Sequence, residues 1–262
     1  MQVRHKDRKR YFEEQATTSK EYYLEYVERF HKVGEGLRVL EIGCGEGGNL
    51  LPFAERGCHV EGIDLSQTRI EQAETFFEEQ GYECRFVCGN FCEMTPPEAN
   101  RKYDVILIHD VIEHIPQKLK LCFLQNVRGF LAPSGIAFFG FPAWQMPFGG
   151  HQQICHSRIS KCPWIHLLPK KIYERLLRRC GEGEDNVREL LSIREAATPI
   201  ERFEELCRAA QLSVVLRHLW LINPHYRMKF GLTPRRVPPF LDRLPVLRNF
   251  YTTACFYILM AG

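Results

Sequence analysis

The sequence predicts an α/β protein with a doubly wound, mostly parallel sheet. From residue 37 to residue 141, short apolar runs alternate with helical patterns through about five units, which is typical of parallel sheets with right-handed crossovers. The run 103–109 (YDVILIH) is almost continuously apolar, as expected when helices cover both faces of a sheet. A glycine-rich turn joins the first run to the first helix. Such a sheet binds its ligand at the carboxyl ends of its strands.

The individual elements follow from apolar periodicity and from turn residues. In the second helix, one face carries Ile70, Ala73, Phe76 and Phe77, and glutamates lie on the other. The residues Ala-Pro-Ser-Gly at 132–135 predict a turn before the fifth strand. The predicted strands are 37–42, 59–64, 85–88, 103–109 and 136–141, and the predicted helices between them are 49–55, 66–80 and 118–131.

The regular alternation stops after residue 141. Residues 142–198 are aromatic, punctuated by proline and rich in His and Cys, which indicates an inserted cap. Thr198 and Glu201 flank Pro199 in a capping-box pattern that predicts a further helix. Phe203, Leu206 and Cys207 lie on its inner face, and two more strands follow at 212–222 and 252–260.

Composition excludes several classes of protein. A chain of 262 residues with a net charge of +3 has no charge imbalance of the kind that nucleic-acid binding uses, and it contains no recognisable RNA-binding module. A nucleic-acid substrate is therefore not expected. Eleven scattered cysteines indicate reduced thiols in a cytoplasmic protein rather than a disulfide scaffold. No apolar run reaches the roughly 20 residues that a membrane span requires.

The glycines at positions 43, 45, 47 and 48 directly follow the first predicted strand. Glycine allows a tight turn and a close approach of the backbone to a ligand. The spacing Gly43-x-Gly45-x-x-Gly48 also fits the dinucleotide fingerprint, so an NAD(P)-dependent oxidoreductase has to be considered. The glycines alone do not distinguish a dinucleotide from a cofactor that carries a cationic amino acid moiety.

Two carboxylates favour the cofactor with the cationic amino acid moiety over the dinucleotide. Glu41, at the end of the first strand, suits a cationic amino acid moiety and would repel a pyrophosphate. Asp64, at the end of the second strand, can accept hydrogen bonds from both hydroxyls of a ribose. Asp64 would serve either cofactor, and Glu41 shifts the choice towards S-adenosylmethionine.

The chain resembles the class I S-adenosylmethionine-dependent methyltransferases. The segments VLEIGCGEGGN, GIDLS, GNFCEM, YDVILIHDVIEHI and LAPSGIAFFGFP occur in the order and spacing of that superfamily's motifs and cover roughly residues 37–141. The resemblance implies a seven-stranded Rossmann-like sheet with an antiparallel terminal strand, an N-terminal lid helix and an inserted cap. We accordingly expect a lid at 1–35, a cofactor-binding core at 36–141, a cap at 142–199 and a completing segment at 200–262 with a basic connection at 223–250.

The resemblance also implies roles for matching residues. The methionine end of the cofactor would contact the first strand and its glycine turn, the ribose would be held by Asp64, and the end of the fourth strand would lie beside the transferable methyl group. Asp110 could instead cap a helix, and Phe91 could belong to the core. The expected cofactor contacts are Glu41, Gly43, Cys44, Gly45, Asp64, Leu65, Asn90, Phe91, His109 and Asp110.

Methyl transfer to a hydroxyl requires a base within hydrogen-bond reach, and that base is most often His. His109, His114 and His151 are the candidates. Glu113-His114 matches relatives in quinone biosynthesis, although His114 could also be structural. The cap offers zinc-type ligands at His151, Cys155, His156, Cys162 and His166, but their spacing matches no compact zinc motif, so no metal is predicted.

Substrate contacts are expected from the lid and from the cap. The candidates are Tyr22, Trp144, Phe148, His151 and Gln152. The basic connection interleaves Arg with aromatic residues, which is compatible with a solvated face or with an anionic or membrane-associated substrate. The insertion also resembles methyltransferases of surface-glycan biosynthesis.

The sequence thus predicts methyl transfer to a small or carrier-linked acceptor, at an oxygen such as a sugar or phenol hydroxyl. Two alternatives stay open. One is an NAD(P)-dependent oxidoreductase, and the other is a protein that binds S-adenosylmethionine without catalysis.

Overall fold

The computed structural model describes residues 7–262 of the chain. A π-helical turn, Ser19–Tyr23, joins the first two helices. The eleven α-helices of the described residues are α1 Arg8–Thr18, α2 Leu24–Glu28, α3 Leu51–Ala54, α4 Gln67–Gln80, α5 Gln117–Phe130, α6 Lys170–Arg179, α7 Glu184–Ala196, α8 Ile200–Ala209, α9 Tyr226–Phe230, α10 Pro239–Asp242 and α11 Leu247–Tyr251. The strands are β1 Arg38–Ile42, β2 His59–Asp64, β3 Arg85–Cys88, β4 Tyr103–His109, β5 Leu131–Phe141, β6 Leu212–Ile222, β7 Arg235–Arg236 and β8 Ala254–Ala261.

All eight strands form one sheet in the order β3-β2-β1-β4-β5-β8-β6-β7. The pairs among β1 to β5 are parallel, and β8 is antiparallel to both β5 and β6. The predicted doubly wound sheet with an antiparallel terminal strand is therefore confirmed. The additional strand is the two-residue β7, which pairs with the end of β6 inside the predicted basic connection.

Strand alternation divides the interior into two cores, one on each face of the sheet. Leu40, Ile106 and Ile108 point to the face covered by α5 and α8. Val105 and Leu107 point to the opposite face, which the N-terminal helices, α3 and α4 cover. Successive side chains of a strand face opposite ways, so the continuous apolar runs supply both cores at once.

Two local predictions were wrong. Residues 132–135 do not separate α5 from a later strand, because β5 already begins at Leu131 and its register against β4 shifts between Tyr103 and Val105. Thr198 does not cap α8. Its hydroxyl accepts a hydrogen bond from Lys120, while the side chain of Asn249 accepts one from the Ile200 amide at the start of the helix.

The predicted cap contains more regular structure than its sequence indicated. Helices α6 and α7 form a hairpin around a small core of their own, and Leu177 and Leu190 are fully buried in it. The segment before α6 is a series of turns and short 3-10 helices. Within residues 7–262, no helix is long and apolar enough to cross a bilayer.

Candidate functional site

A cavity of about 580 Å³ opens at the carboxyl ends of the parallel strands. Its walls come from the β1 and β2 ends, from the loop after β3 and from the loop between β4 and α5. A larger groove of about 820 Å³ lies at the other end of the sheet, where Arg38, His59 and Arg85 line it. Doubly wound sheets bind ligands at the carboxyl ends, so the smaller cavity is the candidate site.

The glycine loop after β1 is held against β2. The amides of Gly43 and Cys44 donate to the Ile63 carbonyl, and the Gly45 amide donates to the Asp64 carboxylate at 2.9 Å. Gly43 has φ +74°, and a Cβ there would lie 2.4 Å from the side chain of Val111. The loop therefore needs glycine at this position for both its conformation and its closeness to the β4 loop.

Gly48 has a different reason to be glycine. A Cβ at this position would lie 2.5 Å from the carbonyl oxygen of Phe12 and 2.7 Å from the side chain of Gln15, both in α1. The third glycine of the apparent dinucleotide fingerprint thus makes room for the N-terminal helix. This contact accounts for glycine at position 48 without a pyrophosphate.

Glu41 is a buried carboxylate with one unsatisfied oxygen. Asn49 donates to Oε1 at 2.7 Å, whereas Oε2 has no hydrogen-bond partner among the described residues. Burial raises the pKa of Glu41 to about 8. A buried carboxylate in this state is stabilised by a cation or a hydrogen-bond donor that approaches its free oxygen.

Asp64 combines a structural task with access to the cavity. Its two oxygens accept hydrogen bonds from the amides of Gly45 and Ser66, both at 2.9 Å. Each carboxylate oxygen has a second lone pair, so Asp64 can also accept from a ligand in the cavity that it lines.

The rest of this wall is apolar. Leu65 is 74% exposed next to the cavity, and Phe91 lines it while packing on Phe123 and Phe130. Asn90 also lines the cavity, and its side chain caps the short helix that follows it. Phe91 thus fits both of its expected roles, because one ring contacts the core and the cavity.

The loop after β4 has a strained backbone and is held by contacts with Tyr23 and Lys120. Asp110 has φ +54°, and its side chain points to the cavity it lines. It does not start a helix, since α5 begins only at Gln117. His109 packs on Tyr23 in a tilted arrangement, at 5.3 Å between ring centroids, and is 3.4 Å from the Asp110 carboxylate. The fully buried Lys120 holds the loop by donating to the Ile112 carbonyl.

Three groups meet where the β4 loop touches the cap. Glu113, His114 and His151 place their ligand atoms within 4.8 Å of one another, and the two imidazole rings lie 5.0 Å apart. Neither oxygen of the buried Glu113 carboxylate has a hydrogen-bond partner among residues 7–262. Two imidazoles and a carboxylate at this spacing can relay a proton or hold a divalent cation.

Burial sets the protonation of this cluster. It lowers the pKa of His151 to about 4, with the neighbouring His114 as a second cause. The ring of His114 is reached from the cavity, yet the surrounding walls lower its pKa as well. Burial, and then the charge of Asp110, raises the pKa of Glu113. Both imidazoles are therefore neutral near pH 7 and can accept a proton.

The remaining expected cap residues support the cluster. His151 has φ +55°, at the start of a short 3-10 helix, and the buried Gln152 side chain donates to the carbonyls of Pro147 and Cys162. Trp144 packs edge-on against His166 at 4.7 Å between centroids. Phe148 is half-buried, and its carbonyl accepts from the His151 amide. The cap ligands Cys155, His156, Cys162 and His166 form no group of three metal ligands within the described part of the chain.

The N-terminal helices contribute other residues than the one expected. Tyr22 packs on Trp220 at 6.0 Å between centroids, away from the cavity lining. Tyr11 is near Asp110 and packs edge-on against His225, whose ring is 3.0 Å from the Thr18 hydroxyl. No site role was predicted for Glu113, Tyr11 or His225. The Glu-His pair was a usable signal for Glu113, and no pattern marks the other two.

Comparisons with known proteins agree with this geometry. Residues 39–135 match the family described as a methyltransferase domain. The chain is 31% identical over 117 residues to a ubiquinone biosynthesis O-methyltransferase of Rickettsia felis, covering 45% of this chain and 46% of the relative. It is 34% identical over 102 residues to the enzyme of that name from Maricaulis maris, covering 39% of each. The chain therefore spans about half the length, or less, of these curated relatives.

Solved structures show the same fold over most of the chain. A S-adenosylmethionine-dependent methyltransferase from Clostridium acetobutylicum superposes with a TM-score of 0.59 at 14% identity, over 94% of this chain and 92% of that one. A magnesium protoporphyrin IX methyltransferase from Synechocystis with bound SAH gives 0.57 at 12% identity, over 95% and 83%.

Proposed function

We propose that this chain, a class I S-adenosylmethionine-dependent methyltransferase with S-adenosylmethionine as its cofactor, transfers the methyl group to a hydroxyl oxygen. The acceptor is a small or carrier-linked molecule. The names of the similar proteins, O-methyltransferases of ubiquinone biosynthesis, favour a phenol over a sugar hydroxyl.

The cofactor is expected to span the β1 and β2 ends of the cavity. The ammonium group of its methionine part would pair with the free oxygen of Glu41, and its ribose hydroxyls would donate to Asp64. Leu65, Asn90 and Phe91 would surround the adenine. Asp110 and the β4 loop, which line the same cavity, would then lie beside the transferable methyl group.

The cluster of Glu113, His114 and His151 is the observation that carries the choice of an oxygen acceptor. The sulfonium supplies the reactivity, so the protein has to align the two reactants and exclude water. A hydroxyl must also lose its proton as the new bond forms. A neutral imidazole at the cavity wall can take that proton, and the nearby Asp110 carboxylate, whose charge favours the protonated form of both imidazoles, would stabilise the resulting positive charge.

The two alternatives have weaker support. An NAD(P)-dependent oxidoreductase needs a glycine loop that admits a pyrophosphate, but Gly48 makes room for α1, and the Glu41 carboxyl, once ionised, would repel the phosphates. The alternative of a binding protein without catalysis does not explain why the imidazoles of His114 and His151 lie together beside the cavity.

The direct test measures methyl transfer from S-adenosylmethionine to phenolic and sugar acceptors by mass spectrometry. With an accepted substrate, His151→Ala and His114→Ala are compared with His156→Ala, whose ring is exposed on the cap. We expect at least one of the first two to lower kcat about 10²- to 10⁴-fold, the usual contribution of a general base, with S-adenosylhomocysteine affinity unchanged.

Full turnover in both variants would refute the role of the imidazoles. Treatment with a chelator distinguishes their two possible uses. A loss of activity that a divalent cation restores would assign the cluster to metal binding instead of direct proton transfer. Turnover with NAD(P) and none with S-adenosylmethionine would refute the proposed reaction.

A further inference from the structure

Five exposed apolar side chains lie on α10, on α11 and on the turn between these two helices, which contact each other in the connection between β6 and β8. We call this set the outer patch: Phe240, Leu244, Val246, Leu247 and Tyr251, which are 67%, 41%, 57%, 51% and 46% exposed. Exposed single apolar residues are ordinary on protein surfaces, whereas a group of this size marks an interaction site.

The outer patch is held in place by a polar network beneath it. Glu201 on α8 accepts from the Val246 amide at 3.1 Å and from the Arg248 guanidinium at 3.0 Å. The amide group of Asn249 donates to the other oxygen of Glu201 at 2.7 Å. The apolar side chains are therefore presented outward from a fixed base and do not belong to an unanchored loop.

Val246 shows the cost of this arrangement. Its φ of +66° is unfavourable for a β-branched residue, and such conformations persist only where the surroundings impose them. The peptide groups on both sides of Val246 are fixed, because its amide donates to Glu201 and its carbonyl accepts from the Asn249 amide. In this fixed backbone, the side chains of Val246 and Leu247 are both exposed to solvent.

The outer patch belongs to the segment that borders the catalytic edge of the sheet. β6 is antiparallel to β8, which is antiparallel to β5, so β6 ends at the same edge as the parallel strands. The connection that follows it begins at His225 and Tyr226, next to Tyr11 and Asp110, and ends where β8 starts. A surface that receives the outer patch would therefore lie at the edge where the cavity opens.

The acidic groups beside the outer patch are paired, since Glu201, Glu204 and Asp242 contact Arg248 or Arg217. Arg243 within the segment of the patch, and Arg235 on β7 of the same connection, are exposed and make no ion pair within residues 7–262. The acid of this segment, Asp242, is already paired with Arg217 at 2.7 Å. Two copies of the patch facing each other across a two-fold axis would bring these arginines together, which disfavours a second copy as the occupant. Arginines beside exposed apolar side chains fit an anionic lipid surface.

We propose that the outer patch binds the surface of a bilayer that contains anionic phospholipid. Phe240, Leu244, Val246 and Leu247 enter the headgroup boundary, and Arg243 and Arg235 pair with lipid phosphates. This binding does not depend on the proposed reaction. It would bring the edge of the sheet that carries the cavity close to the membrane.

Vesicle flotation tests the proposal with the full chain. Vesicles of phosphatidylcholine with about a third phosphatidylglycerol are compared with phosphatidylcholine alone. We expect binding to the anionic vesicles, a loss of about fivefold or more in Arg243→Glu, and a loss of at least about tenfold in the double variant Phe240→Ser, Leu247→Ser. S-adenosylhomocysteine binding shows that each variant is folded.

Two control variants lie on α6. Ile172→Ser removes an exposed apolar side chain and Arg175→Glu reverses an exposed charge, but the apolar face of α6 is used in the core of the cap. Both should bind anionic vesicles like the unchanged protein. Absence of vesicle binding, equal losses in the control variants, or a self-association that the double variant abolishes would overturn the proposal.

Discussion

The strand-end side of the candidate site, where we propose that the cofactor binds and which we call the cofactor side, and the cap side are built in different ways. On the cofactor side, Glu41, Asp64 and His109 are each the last or next-to-last residue of a parallel strand. On the cap side, His151 lies in a turn with a left-handed backbone, and the cap has a separate small core. The register of the sheet fixes the first group, whereas contacts between distant segments fix the second.

This difference determines what each half can tolerate. The strand ends cannot move without disturbing the two main cores, which lie on either face of the same strands. The cap hairpin rests on few large side chains, of which Tyr173 and Leu177 are fully buried. We therefore expect the cap to loosen while the cofactor side stays intact, and three changes examine that expectation.

The largest effect is expected from Leu177→Ala. Removing a fully buried leucine costs about 2–5 kcal/mol, and here the cost falls on the core of the cap. Hydrogen exchange in α6 and α7 should accelerate strongly while S-adenosylhomocysteine affinity stays the same. Leu107→Ala, which removes a buried leucine from β4, is the matched control and should lower the stability of the whole chain. Equal destabilisation of the sheet by both changes would contradict two separable regions.

A smaller effect is expected from Asp64→Ala on the cofactor side. The change removes the acceptor of the Gly45 and Ser66 amides together with the proposed ribose contact. The loss of a charge-assisted hydrogen bond costs about 1.5–3 kcal/mol, which corresponds to roughly 10- to 100-fold weaker S-adenosylhomocysteine binding by calorimetry. Asp104→Ala, at the opposite end of the sheet where the carboxylate accepts from the Arg38 amide, should bind normally. An unchanged affinity in Asp64→Ala would remove the ribose role.

The smallest effect is a pH dependence carried by Glu41. Burial raises its pKa to about 8 in the free protein, and pairing with an ammonium group would lower that pKa again. Binding then releases a proton, so affinity falls as pH decreases below 8. We expect S-adenosylhomocysteine to bind about fivefold more weakly at pH 7 than at pH 8. Glu41→Gln should show a flat profile over this interval, and a flat profile in the unchanged protein would refute the ammonium pairing.

The sequence predicted the sheet well because its signals are local. Apolar runs and strand-end carboxylates mark positions along one strand, and the parallel arrangement then brings Glu41 and Asp64 to the same edge. Capping by Asn249 and the meeting of His114 with His151 depend on segments far apart in the chain. Thr198 matched a local capping pattern, yet the buried Lys120 required its hydroxyl, and the tertiary contact prevailed over the local preference.

The helices within the cap show the same limit. Tyr173 and Leu177, one turn apart on α6, carried a helical period, but the surrounding prolines and cysteines concealed it. The expected cofactor residues stay predictions as contacts, and their positions around one cavity are what the geometry adds. Tyr22 packs on Trp220 and its neighbour Tyr23 reaches His109, so a substrate contact of Tyr22 also stays a prediction.

The contact between Gly48 and α1 has a consequence for protein engineering. The carbonyl of Phe12 occupies the space that any larger residue at position 48 would need. The N-terminal helix and the glycine loop therefore form one exchangeable unit, although Phe12 and Gly48 are 36 positions apart in the chain. A chimaera that takes this helix from a relative must keep a glycine at its partner position, and a variant library aimed at a new cofactor analogue should hold position 48 constant.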